Sequence, residues 1–164
     1  MPTKRSPRKG SLQFWPRKRA KRGYANIKSW INLKDTKLLG FAGYKVGMTH
    51  TQVHDNTTST TKNMIISQPV TILECPPLFV FSIRFYQKSK NSLTSISQLF
   101  CSNFKKELTR KIKTPKKSDE PKEFDDIRLV VHTQPYLVGF GKKKPEIFEL
   151  VISGDKEKKL EYAK

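Results

Sequence analysis

The amino-terminal segment limits the fold of this chain more than any other feature. The first 34 residues contain eleven Lys and Arg side chains and no Asp or Glu, and the first carboxylate in the chain belongs to Asp35. Such a segment repels itself and has too little apolar surface to offset the chain entropy lost on folding. We therefore predict that residues 1–37 form a long, extended basic arm that depends on a polyanionic partner for its order.

Aromatic residues interrupt the positive charge of this arm at Phe14, Trp15, Tyr24 and Trp30. Flat rings between cations suit the irregular surface of folded RNA better than a smooth duplex, because unpaired bases stack on them. The formal net charge of +19 for the whole chain also favours a nucleic-acid partner. We expect the cations to contact phosphates, and Phe14 or Trp15 to pack against a base or sugar. The expected contacts in the arm are Lys4, Arg5, Arg8, Lys9, Phe14, Trp15, Arg17, Lys18, Arg19, Lys21, Arg22 and Lys28.

The rest of the chain has a hydrophobic pattern typical of strands. Phe79, Phe81, Ile83 and Phe85 alternate with other side chains, which predicts one strand with these four residues on a single face. We predict a mainly β fold of the α+β class, with strands in residues 38–87 and 127–154.

Two other segments are expected to be helical. Within a helical and charged insertion at residues 88–126, apolar residues recur every three or four positions between Leu93 and Ile112, which predicts a helix. Asp155 is the expected N-cap of a final helix in residues 155–164. That helix has no C-terminal capping signal, which indicates an element continued in a missing or separate half of the protein.

A glycine turn in residues 139–141 is followed by three cations, Lys142, Lys143 and Lys144. Three positive charges next to a tight turn are suited to a phosphate group, so we predict a second contact with the polyanion here. A solvated loop is the alternative interpretation.

One group of residues, His50, His54 and Asp55, has the composition of a metal site. Histidines four residues apart share a metal on a helix, but the surrounding residues predict a strand, in which these positions are about 13 Å apart. Cys75 and Cys101 are too few for a disulfide framework or a zinc site. We therefore predict no metal, no cofactor and no catalytic residue, with a metal-dependent enzyme at the two histidines and the aspartate as the alternative.

The sequence does not indicate a membrane protein. No apolar run approaches the roughly 18–20 residues of a membrane span, and no signal-type apolar segment follows the basic amino terminus. We expect a cytoplasmic protein without a membrane partner.

Six blocks of the sequence resemble consecutive blocks of one family, protein three of the large ribosomal subunit (protein L three), in its archaeal form. The blocks are SPRKGSLQFWPRKRAKR, GFAGYKVGMTH, PVTILECPPL, DIRLVVHTQP, KKKPEIFEL and KLEYAK. The resemblance implies a non-enzymatic structural protein of the cytoplasmic ribosome that binds large-subunit rRNA, supports its assembly and contacts neighbouring ribosomal proteins. It also implies a partial β-barrel of the translation-protein type, with the arm buried in RNA. Lys45 and His50, from the second block, join the expected rRNA contacts.

Members of this family continue into a second half that this chain does not contain. The resemblance therefore implies either a split gene, in which a second polypeptide carries the C-terminal half and completes the barrel, or a fragment. From the charge alone, a general basic DNA-binding or chromatin protein is the alternative function. Preference of the arm for duplex DNA over folded rRNA would distinguish the two.

Overall fold

The structure is a computed structural model that describes residues 7–27, 29–90, 92–113, 115 and 119–164. Its strands and its α-helix are β1 (Leu38–Leu39), β2 (Tyr44–His54), β3 (Ile65–Glu74), β4 (Phe79–Lys88), β5 (Leu93–Phe100), β6 (Asp126–His132), β7 (Ile147–Ile152) and α1 (Lys156–Ala163). Short 3-10 turns lie at Leu12–Phe14, Lys106–Arg110 and Pro135–Leu137. None of the helices in these ranges combines the length and the apolar character needed to cross a lipid bilayer.

The strands form two separate sheets. The larger sheet has five strands in the order β1-β7-β6-β4-β5, and β2 pairs with β3 in a two-stranded hairpin. Every neighbouring pair of strands is antiparallel. Both sheets are open in the described part of the chain, and the prediction of a mainly β protein is confirmed.

One face of the five-stranded sheet carries the main core. Its buried side chains are Ile83, Phe85, Ile127, Leu129, Val131, Leu150 and Ile152. Leu160 and Ala163 of α1 pack against this face. Asp155 occupies the predicted N-cap position before the first turn of α1, but its side chain makes no capping hydrogen bond.

A β-bulge in β4 divides its aromatic residues between the two faces of the sheet. The pairing of β4 with β6 shifts by one residue at Phe81, which has no partner on β6. Phe79 and Phe81 lie in a second cluster, with Leu108 at its centre, on the opposite face. Ile83 and Phe85 belong to the main core. The prediction that these four side chains share one face is therefore wrong, because the extra residue reverses the alternation.

The helix predicted between Leu93 and Ile112 is wrong as well. Leu93–Phe100 is the edge strand β5, which pairs with β4 along its length. Backbone hydrogen bonding to a neighbouring strand outweighs an apolar spacing that fits a helix, and periodicity alone does not show that such a neighbour is available. In the second half of this segment only Lys106–Arg110 is helical, as a 3-10 turn that buries Leu108 against the sheet.

The β2–β3 hairpin lies apart from the five-stranded sheet, and most of its side chains are exposed. At its base, the Tyr44 hydroxyl donates a hydrogen bond of 2.7 Å to Thr133, and the Tyr44 ring contacts Phe140 edge-on at 4.7 Å. A mostly polar loop, residues 55–64, connects the two strands. The hairpin is thus held mainly at one end.

Candidate nucleic-acid interface

The arm carries positive charge that nothing within the described structure neutralises. The Lys and Arg side chains in residues 7–27 and 29–34 form no ion pair with any described carboxylate. Seven of the predicted contacts are exposed cations of this kind: Arg8, Lys9, Arg17, Lys18, Arg19, Lys21 and Arg22. Three further predicted contacts, Lys4, Arg5 and Lys28, lie outside the described residues. A cation without an internal partner is available to neutralise a phosphate.

Two aromatic side chains are exposed among these cations. The turn Leu12–Phe14 is capped by Ser11, whose hydroxyl accepts a hydrogen bond of 3.1 Å from the backbone N–H of Gln13. Phe14 is 73% exposed and Trp15 is 64% exposed. When a partner covers such exposed rings, the free energy falls because apolar surface is removed from water. Their exposure is consistent with the predicted packing against a base or sugar, which stays a prediction.

The base of the arm is attached to the folded body. The Tyr24 ring lies 5.5 Å from the Phe148 ring of β7, and the Arg22 guanidinium lies 5.7 Å from the centre of the Tyr24 ring. The Trp30 ring packs beside Gly40, where an added Cβ would lie 3.5 Å from the indole. Gly40 also has a φ of +93°, a conformation that favours glycine. The charge pattern, which treats the arm as one segment, did not reveal these contacts.

A groove lies between this part of the arm and the five-stranded sheet, with a cavity volume of about 550 Å³. The arm contributes Arg22, Tyr24 and Trp30 to its lining, and the sheet contributes Arg84, Arg128 and Glu149. The groove therefore combines several aromatic rings with three guanidinium groups and one carboxylate.

A network of charged and polar side chains forms the floor of the groove. Arg84 and Arg128 occupy directly paired positions on β4 and β6, where like charges repel. Glu149 reduces this repulsion, because its carboxylate binds Arg84 and also accepts a hydrogen bond of 3.4 Å from Arg128. The same carboxylate accepts hydrogen bonds of 2.8 and 2.9 Å from the Tyr86 hydroxyl.

The two arginines of this network were not predicted as functional residues. Their signal in the sequence is modest, since each is a lone cation within an apolar strand. The Arg128 guanidinium lies 4.8 Å from the centre of the Tyr86 ring, which adds a cation–π contact. Burial raises the pKa of Tyr86, and its hydrogen bond to Glu149 raises it further, so the phenol remains a donor. The floor is therefore a fixed arrangement with more positive than negative charge.

The three cations after the glycine turn do not form one free cluster. Lys142 lies 2.7 Å from Glu146, which also binds Lys111 at 2.7 Å. Burial raises the pKa of Glu146, but the hydrogen bonds from these two lysines outweigh it and leave the pKa lowered. Lys143 and Lys144 are exposed and form no ion pair in the described part of the chain. Only the latter two have their charge available for a phosphate.

On the hairpin, Lys45 and His50 are exposed in β2, at the predicted contact positions. His54 does not turn towards a metal site, because its Nδ1 lies 3.0 Å from the side-chain oxygen of Asn56. No group of three His, Cys, Asp or Glu residues suited to a metal ion occurs among the residues that the structure describes.

Asp55, the third member of the possible metal site, stabilises the hairpin turn instead. Its carboxylate accepts hydrogen bonds from the backbone N–H and the hydroxyl of Thr57, at 2.8 and 2.7 Å. Further hydroxyl donors are Ser59 at 2.7 Å and Thr61 at 2.5 Å. The hydrogen bond from the Thr57 hydroxyl, followed by those from Thr61 and Ser59, holds the pKa of Asp55 well below its usual range. Both carboxylate oxygens are therefore occupied by the turn.

Comparison with known proteins identifies the family. The family model for ribosomal protein L3 matches residues 1–126, more than half of the chain. This chain belongs to the ribosomal protein L3 family. The match includes the arm, the β2–β3 hairpin, β4 and β5, and the resemblance carried by the six sequence blocks is confirmed.

Members of the L3 family from three archaea are similar to this chain. Large ribosomal subunit protein uL3 of Picrophilus torridus is 46% identical over 171 residues, covering 100% of this chain and 52% of that protein. The uL3 protein of Methanobrevibacter smithii is 44% identical, covering 96% of this chain and 50% of its own length. The uL3 protein of Methanocaldococcus jannaschii is also 44% identical, with coverage of 96% and 51%. This L3-family chain thus spans about half the length of the curated relatives it matches.

Proposed function

We propose that this L3-family chain is a structural, non-enzymatic constituent of the large ribosomal subunit. In the cytoplasmic ribosome it binds large-subunit rRNA, supports the assembly of that RNA and contacts neighbouring ribosomal proteins. The observation that carries the proposal is the arm, whose exposed cations form no ion pair among the described residues and lie beside two exposed rings. The name of the relatives, large ribosomal subunit protein uL3, supports the same assignment.

In this proposal, residues 1–37 supply most of the contacts with RNA. Arginine and lysine side chains neutralise phosphates and release counterions, which provides affinity without sequence specificity. Rings that stack on unpaired bases add a preference for irregular, folded RNA. The proposed contacts are Lys4, Arg5, Arg8, Lys9, Phe14, Trp15, Arg17, Lys18, Arg19, Lys21, Arg22, Lys28, Lys45, His50, Lys143 and Lys144. Lys142 is the weakest member of the predicted set, because Glu146 already neutralises it.

The test is the salt dependence of binding between the full chain and a folded fragment of large-subunit rRNA. With roughly eight phosphates neutralised, log K should fall against log[salt] with a slope of about −6 to −7. A chain that lacks residues 1–22 is the matched control, and its slope should be much flatter. Affinity that does not change with salt would contradict the proposal. Preferential binding to duplex DNA in competition would support a general DNA-binding protein instead.

The surface of the β2–β3 hairpin favours contact with another protein. Met48, Ile65 and Leu73 are 64%, 70% and 60% exposed. Residues 46–73 contain two charged side chains, Asp55 and Lys62, in a chain with a net charge of +19. Apart from Lys45 and His50, which are proposed RNA contacts, this apolar and nearly uncharged surface favours a protein partner.

We infer that this partner is the second half of the L3 fold, carried by another polypeptide. It would cover the hairpin and complete the partial β-barrel of the translation-protein type, since the sheets of this chain are open in the described residues. Co-production with the C-terminal half of an L3 relative should keep the chain soluble. Ile65→Lys should prevent complex formation, whereas Thr60→Lys, an equal change of charge at an exposed loop position, should not. A monodisperse, cooperatively melting monomer of residues 35–164 alone would refute this inference.

A further inference from the structure

We propose that the groove between the arm and the five-stranded sheet holds one unpaired nucleotide of the rRNA. The base lies against Tyr24 and Trp30, and the adjoining phosphate lies at the guanidinium groups of the groove. This inference rests on the proposed rRNA-binding function and deepens it, because it assigns a single-nucleotide site to the folded body.

The size of the groove suits one nucleotide. Its volume of about 550 Å³ lies within the range of roughly 300–1,000 Å³ that is usual for sites that enclose small molecules. An RNA duplex is too wide to enter a space between one chain segment and a sheet. A single base that leaves its stack can enter it, as in other proteins that recognise single-stranded positions in folded RNA.

The two rings of the groove are held in place before any ligand binds. Tyr24 is half-buried because its ring contacts Phe148, and Trp30 is half-buried because its indole packs beside Gly40. Binding of a base to rings that are already fixed costs less conformational entropy than binding to mobile side chains, which would have to become ordered. This is the difference between these two rings and the exposed Phe14 and Trp15.

The charge of the groove favours a phosphate. Three arginines, Arg22, Arg84 and Arg128, face one carboxylate, that of Glu149. The excess of guanidinium groups over carboxylates favours an anionic ligand, and phosphate oxygens are suitable acceptors for guanidinium groups.

The groove is also continuous with the proposed RNA contacts of the arm. Arg22 lines the groove and is the last member of the basic run that begins at Arg17. An RNA strand bound along this run therefore lies next to the groove at Arg22. The neighbouring contacts therefore raise the local concentration of nucleotides at the site.

Fluorescence of Trp30 tests the proposal directly. The chain has two tryptophans, so Trp15→Phe leaves Trp30 as the only indole. The full-length Trp15→Phe chain, in complex with a tryptophan-free version of the complementary half that keeps it soluble, is titrated with single-stranded oligouridylate and, separately, with a blunt RNA duplex of equal nucleotide content. Oligouridylate should quench the fluorescence with saturation, because a base stacks on the indole, and the duplex should not. Equal quenching by the duplex, or no quenching by either, would overturn the proposal.

Variants locate the site. In the Trp15→Phe chain, Tyr24→Leu and Arg22→Gln should each weaken the oligouridylate signal by about tenfold in affinity. Arg19→Gln is the matched control, since it removes the same charge from the arm outside the groove, and its loss of affinity for oligouridylate should be smaller. Circular dichroism shows whether each variant retains its fold. A loss with Arg19→Gln as large as with Arg22→Gln would contradict a site in the groove.

The fluorescence titration and the salt-dependence test can fail independently of each other. If Trp30 is not quenched but steep salt-dependent binding to folded rRNA persists, the groove site is wrong and rRNA binding by the arm remains. If both are lost, the proposed function itself is wrong.

Discussion

The hydroxyl of Tyr44 donates a hydrogen bond of 2.7 Å to the hydroxyl of Thr133, and this contact ties the β2–β3 hairpin to the five-stranded sheet. Thr133 directly follows β6, and its hydroxyl also accepts the backbone N–H of Glu146 at 2.9 Å. One buried hydroxyl thus joins the hairpin, the end of β6 and the segment before β7. The position of the hairpin depends on this junction and on the ring contact between Tyr44 and Phe140.

Removal of the Tyr44 hydroxyl should loosen the hairpin. Tyr44→Phe keeps the ring contact with Phe140 but removes a partly buried hydrogen bond, so the free energy of unfolding should fall by about 1 kcal/mol. Urea denaturation measures this, on the chain alone or with the complementary half that keeps it soluble. Tyr162→Phe, at an exposed position in α1, is the control and should change stability by less than about 0.5 kcal/mol. Equal effects of the two substitutions would show that the junction is unimportant.

The Asp55 carboxylate should make the free energy of unfolding depend on pH in the acid range. The pKa of Asp55 is lower in the folded turn than its ordinary value of about 3.9, so the folded state binds fewer protons than the unfolded state near that pH. The stabilisation is therefore complete above that value and is lost as the pH falls below it. Unfolding free energies measured from pH 7 to 3 should fall less for Asp55→Asn than for the parent chain. Parallel curves for the parent and Asp55→Asn would refute this role.

Arginine geometry should matter in the arm. Arg17→Lys keeps the charge but loses a planar group that binds phosphate through two parallel N–H donors, so affinity for an rRNA fragment should fall by about threefold to tenfold. The salt slope should stay nearly constant, because the number of neutralised phosphates does not change. Lys18→Arg is the reciprocal control and should bind at least as tightly as the parent. Unchanged affinity for Arg17→Lys would show that this side chain acts only as a point charge.

Leu108 should anchor the segment between β5 and β6. It is 1% exposed and lies at the centre of the second cluster, so Leu108→Ala should lower the free energy of unfolding by about 2–5 kcal/mol. Leu137→Ala removes the same atoms from a side chain that is 49% exposed, and its effect should be much smaller. Chemical denaturation compares the two. A cost at Leu108 no larger than at Leu137 would contradict the packing of this segment on the sheet.

The elements that sequence reasoning predicted correctly are those specified by local pattern. Alternation marks β6 and β7, because one face of each strand is buried in the main core and successive side chains point to opposite faces. Asp155 marks the start of α1, because capping involves residues within one turn. The exposed, unpaired cations of the arm also follow from sequence, since a segment with no carboxylates of its own has no local partner for them.

Contacts between distant residues account for what the sequence did not reveal. A single residue inserted at Phe81 divides the aromatic side chains of β4 between two faces, and only the register with β6 shows it. Leu93–Phe100 is a strand because β4 offers a free edge to pair with, which overrides its helical spacing. Lys142 is neutralised by Glu146, whose orientation depends on the route of the chain after the glycine turn.

The same distinction between local pattern and distant contacts applies to the candidate site. The sequence by itself determined that the arm is basic, aromatic and unable to form a core, because charge and composition are properties of the segment alone. Only the tertiary structure decided that Tyr24 and Trp30 leave the arm to pack on the sheet, and that a groove opens above Arg84 and Arg128. Burial against partners far along the chain creates these contacts, and no pattern within either segment records the partner.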